Sequence, residues 1–121
     1  MAFYRNSGSG GDLKTKTVEV TATDFPDLFK YIDQRASYYT IAAGSVRIVS
    51  IDYVIVTKQT YNASSISFYD TLNSQKIFAI AKPTTETKPI AMNGLKIYMS
   101  STLADGDLHF EKLSYTYIEE D

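Results

Sequence analysis

Residues 45–58 read SVRIVSIDYVIVTK, the longest apolar run in the chain. Val49, Ile51, Tyr53 and Ile55 share one parity, and Val46, Ile48, Val54 and Val56 share the other, interrupted by Ser50 and Asp52. Alternation at period two with β-branched and aromatic residues specifies an extended strand. A strand that is apolar on both parities belongs in the middle of a sheet, with its two ends covered by different neighbours or redirected by a bulge.

Outward from this strand the same period recurs. SYYTIA (37–42), closed by Gly44, reads as a separate strand before it. After it, SSISFYD (64–70) directs Ile66 and Phe68 inward, and QKIFAIAK (75–82) places Phe78 and Ile80 on one face with Ile77 and its alanines on the other. TLNSQ between them is turn chemistry, so the two segments form a hairpin. KPTTETKP (82–89), bracketed by Pro83 and Pro89, is expected to be a loop, since proline cannot donate to a central ladder. GLKIYMSS (94–101) directs Leu95, Ile97 and Met99 inward and Lys96 and Tyr98 outward, and ADGD (104–107) is a hairpin turn. In LHFEKLSYTYIEE (108–120), Leu108 and Phe110 share one parity, while Leu113, Tyr115 and Tyr117 share the other. A bulge at Glu111–Lys112 keeps all five on one face.

Upstream, KTKTVEVTAT (14–23) alternates as a half-buried strand. TDFPDLFKYIDQRAS (23–37) differs: Phe25, Leu28, Phe29 and Ile32 follow the i, i+3, i+4, i+7 template, Thr23 or Asp24 can cap, and Pro26 suits a first turn. The spacing predicts one short helix over 24–35. The fold class expected is therefore mainly β: an antiparallel β-sandwich or jelly-roll-like single domain over 15–121, behind a flexible Gly/Ser-rich arm over 1–14.

The chain has 121 residues, a net charge of −2, no Cys and one His. Disulfide scaffolds, thiolate metal sites and cysteine nucleophiles are excluded. Lys and Arg are scattered, so no basic field for nucleic acid is expected, and no run approaches the roughly 18 apolar residues of a membrane-spanning helix. The N-terminus has no apolar stretch like that of a signal peptide. His109 stands opposite in parity to its apolar neighbours, without a G-x-S-x-G elbow anywhere in the chain. Asp105 with Asp107, and Asp24 with Asp27, are the densest carboxylates, explained by a turn and by capping. Asn62-Ala63-Ser64 matches a glycosylation acceptor in a polar turn. No catalytic residues, no cofactor and no metal are expected.

Ten Tyr against six Phe and no Trp is the unusual figure. A tyrosine ring packs while its hydroxyl stays wet, which suits interfaces. Tyr98, Tyr115 and Tyr117 on strands, and Phe3, Tyr4 and Arg5 ahead of the Ser7–Gly11 run, are the candidate partner-binding residues.

From 45 to 119 the succession SVRIVSIDYVIV, SSISFYDTLNSQKIFAIAKP, PIAMNGLKIYMSS and LHFEKLSYTY resembles small β-sandwich proteins of tailed-phage virions. The resemblance spans about two-thirds of the chain, and the helix expected at 24–35 departs from it. It implies a non-enzymatic structural protein, made in the host cytoplasm and carried in the virion. Such a protein decorates the capsid or joins head and tail parts, binding other virion subunits and copies of itself. A carbohydrate- or receptor-binding module is the alternative that the strand tyrosines leave open.

Overall fold

A computed structural model describes residues 14–32, 35–57, 64–101 and 108–119. The chain is mainly β. Six strands, β1 (Thr15–Glu19), β2 (Arg35–Thr57), β3 (Ser64–Asp70), β4 (Gln75–Ile80), β5 (Thr84–Ser101) and β6 (Leu108–Ile118), form one antiparallel sheet in the order β1-β6-β2-β5-β3-β4. The sandwich-like arrangement arises because two strands serve twice. The first part of β2 pairs with the last part of β5, which continues into β3 and β4. The second part of β2 pairs with the first part of β5 on one side and with β6 on the other. The sheet curls until β3 and β6, three places apart in the ladder, meet across the core: Phe68 lies 6.2 Å from Phe110, edge to face, and the Leu108 amide donates to Ser64 Oγ at 2.8 Å.

Bulges make the parities work. β2 shifts register between Ile48 and Ser50 against both neighbours, so Ile48 joins Ile51, Tyr53 and Ile55 in the buried face. The shift in β6 falls between Phe110 and Lys112, leaving Glu111 unpaired opposite Val54–Ile55. Leu108, Phe110, Leu113 and Tyr115 are accordingly all buried and Tyr117 packs against them, as the alternation required. An aromatic stack of Phe68 on Phe78 (4.4 Å, 10°), flanked by Tyr53, fills the centre. The β3–β4 hairpin forms with Thr71–Ser74 as its turn.

Three expectations need correction. The helix expected over 24–35 reduces to a single 3₁₀ turn, Pro26–Leu28, and Arg35 already belongs to β2. A helix of three turns is too short to hold itself, so packing decides. Leu28 is fully buried with Phe25 and Phe29 packed beside it, and Arg35 donates to the carbonyls of Asp27 (2.5 Å) and Lys30 (3.4 Å), tying the turn to the strand.

SYYTIA and SVRIVSIDYVIVTK are one strand, with Gly44 inside it rather than closing the first. KPTTETKP is also not a loop: β5 begins at Thr84, and Pro89 stands opposite Ser50. That part of β5 pairs with β2 alone among the described residues, β3 joining only from Lys96 onward. Proline is tolerated because it lies on an edge.

Candidate binding surface

The outer face of the β2–β5–β3 layer collects tyrosines from three strands. Tyr38 stands opposite Tyr98 across the β2–β5 ladder, and Lys96, two residues before Tyr98, stands opposite Tyr69 of β3. Period two puts all four side chains outward, since Leu95, Ile97, Met99, Ile66 and Phe68 fill the inward parity. The rings touch: Tyr38 lies 4.5 Å from Tyr98 (39°) and 5.7 Å from Tyr69, edge to face (68°). Lys96 Nζ sits 5.5 Å from the Tyr38 centroid and 6.0 Å from that of Tyr69, within cation–π range, and hydrogen bonds Ser74 Oγ at 3.1 Å. A hydrogen bond with Tyr69 is the main cause holding the Tyr38 hydroxyl above its ordinary pKa, with Lys96 and Lys76 opposing the rise. Tyr38 remains 57% exposed while in contact with both other rings.

The electrostatics of this face follow from sequence. Asp70 is the one acid in residues 35–46, 64–80 and 95–101. Its carboxylate is buried, accepting the amides of Asn73 and Asn93 at 3.1 Å each. Among the described residues, the Tyr/Lys face therefore presents ammonium groups and hydroxyls without a surface carboxylate, on a chain whose net charge is −2.

Of the residues expected to bind partners, Tyr98 lies in this cluster. Tyr115 and Tyr117 do not. Tyr115 is 9% exposed and Tyr117 packs against the core, because the bulge that aligns β6 also turns both rings inward. Burial is the first cause raising the Tyr115 hydroxyl pKa above the ordinary value. Phe3, Tyr4 and Arg5 lie outside the described residues, as do Asp105, Asp107 and Asn62. Tyr38 and Tyr69 are the members that local pattern does not single out. Their parity is readable, but their meeting with Tyr98 depends on β5 lying between β2 and β3.

The described histidine, His109, is half-buried on β6 opposite Val56, its Nδ1 without a hydrogen-bond partner among the described residues. No group of three or more His, Cys, Asp or Glu that could hold a metal ion occurs among the described residues. A surface depression of about 310 Å³ lies on the other half of the sheet and is open to solvent, lined by Asp52, Val54, Thr85, Glu86, Thr87 and Lys112. Thr87 Oγ1 donates to Asp52, and the buried Tyr53 hydroxyl donates to Glu86 Oε1 at 2.5 Å. No family model, curated protein or solved structure matches the chain.

Proposed function

We propose that this chain is a non-enzymatic assembly protein, of the decoration or connector type found in phage virions, and that it docks a neighbouring subunit on the Tyr38–Tyr69–Tyr98 face. The carrying observation is the exposed three-ring cluster around Lys96, on a sheet face without a surface carboxylate among the described residues. Tyrosine rings supply large contact area at small entropic cost, and they are enriched where interfaces bind most tightly. The absence of Trp from the sequence favours a protein neighbour over a sugar, since the larger indole face is the better saccharide platform.

The test is affinity purification from the cells that make the protein, followed by mass spectrometry, in wild type and in Tyr38→Ala/Tyr98→Ala. Recovery of virion structural subunits with the wild type, and their loss with the variant, is the expected result. A glycan array showing a saccharide whose retention depends on the same tyrosines would replace this reading with the receptor-binding one. Unchanged recovery in the variant would remove the face from the interface.

A further inference from the structure

The register of the sheet places two charge pairs at matched spacing. Lys96 and Lys76 both stand opposite Tyr69, one on β5 and the other on β4, so they flank it in a single row on the outer face. On the other half, Glu19 of β1 and Asp52 of β2 both stand opposite Ser114 of β6, and flank it in the same way. Residues directly opposite share a face, and adjacent strands lie about 4.8 Å apart, so each pair is separated by roughly 9.5 Å. The two acids of the second row also lie on the outer parity: the neighbouring row carries the exposed Thr17–Thr116 hydroxyl contact of 2.8 Å, while Val18, Leu113 and Tyr115 occupy the inward one. Ser114 between them is itself buried, so exposed Glu19 and half-buried Asp52 are the groups this row offers.

We propose that the occupant of the Tyr/Lys face is a second copy of this chain, presenting the Glu19 and Asp52 carboxylates that flank Ser114. This rests on the assembly reading and specifies the neighbour. Lys96 and Lys76 meet Glu19 and Asp52, and the protruding Tyr38 ring enters the depression beside Asp52, lined by Val54, Thr85, Thr87 and Lys112. The two surfaces lie on different halves of the molecule, so the contact is heterologous, and repeating it gives a ring or an open chain rather than a closed dimer. Attraction between rows of opposite charge sets the register and speeds encounter.

Sedimentation velocity on the full chain tests this. At about 50 mM salt, mass is expected to grow past dimer with concentration; at about 1 M, where screening acts within roughly 3 Å, it falls towards monomer. Lys76→Glu/Lys96→Glu and Glu19→Lys/Asp52→Lys should each weaken self-association by about tenfold or more. Mixed in equal amounts, the two should recover it as an alternating chain. Should either reversed variant melt early, the neutral pairs Lys76→Gln/Lys96→Gln and Glu19→Gln/Asp52→Gln must each weaken association. A wild type monomeric at low salt overturns the proposal. So does sensitivity to the lysine pair without sensitivity to the acidic pair, or a mixture without recovery. If the wild type is monomeric yet Tyr38→Ala/Tyr98→Ala loses other virion subunits, the second-copy proposal fails and the assembly reading stands.

Discussion

At the scale of single residues, two positions show how local chemistry holds the sheet in its curl. Gly94 has φ +82°, and a Cβ there would lie 2.6 Å from the Ala43 carbonyl oxygen and 2.7 Å from Thr71 Cβ. It stands where Asn93 pairs with Arg47 and Leu95 pairs with Ala42, so four residues of β2 pass opposite one of β5. The same junction receives the β3–β4 turn, through Thr71 Oγ1 on the Ala42 carbonyl (2.8 Å) and the Leu72 amide on the Asn93 carbonyl (3.1 Å). Gly94→Ala is expected to cost about 2–4 kcal/mol from strain and overpacking together, read from urea unfolding midpoints. Tyr53 gives a pH-dependent counterpart. Burial, and then its hydrogen bond to Glu86, raise its hydroxyl well above the ordinary value of 10.0. The unfolded chain therefore releases this proton first, and stability is complete below about pH 10 and falls as pH climbs from there through the raised folded value. Tyr53→Phe should flatten that alkaline loss while changing neutral stability by about 1 kcal/mol or less, because exposed Glu86 can turn to water. An alkaline profile as steep as the wild type's would show that Tyr53 ionises equally in both states.

Elements show what a sequence can and cannot disclose. Parity was legible nearly everywhere: Leu95, Ile97 and Met99 are inward, Lys96 and Tyr98 face out, and the β6 bulge could be placed because Leu108 and Leu113 demand the same face. Phe25, Leu28, Phe29 and Ile32 have helical spacing, yet that spacing equally serves a short turn inserting Leu28 into the core. The start of β5 is not legible because Pro83 and Pro89 argue against a central ladder, whereas among the described residues the strand is central only in its second part. The candidate surface was legible at Tyr98 alone, since its meeting with Tyr38 and Tyr69 follows from strand order, which local periodicity does not carry. The bulge supplies an element-scale test. Deleting Glu111 removes the extra residue that keeps both ends of β6 in register, so either Leu108 and Phe110 or Leu113 and Tyr115 must turn to solvent. Either outcome exposes two large buried side chains, at about 1.5–3 kcal/mol each. The deletion variant is expected to lose its dispersed amide NMR spectrum, whereas Glu111→Ala, which keeps the count, should retain it. A folded deletion variant would mean that the bulge can migrate along β6.

For the whole molecule, the sharing of β2 and β5 between both layers makes an independently stable half impossible. Cutting the layers apart would sever two continuous strands, Arg35–Thr57 and Thr84–Ser101, and open the Phe68–Phe110 contact between them. The terminal elements are bound into the same unit: β1 has β6 as its ladder partner, and the Glu119 amide returns to the Lys14 carbonyl at 2.8 Å. One cooperative transition follows, with no stable intermediate in which one layer persists. Urea unfolding followed by far-UV circular dichroism and by tyrosine fluorescence should give coincident curves, with a slope of about 1–3 kcal/mol per molar urea. Because β1 pairs with β6 and β2 with β5 and β6, native pairings join distant parts of the chain, and refolding should fall in the millisecond-to-second range. Separate midpoints for the two probes would show that the layers unfold one at a time. In that case the curl at Gly94 would be a hinge between two units rather than the bend of a single sheet.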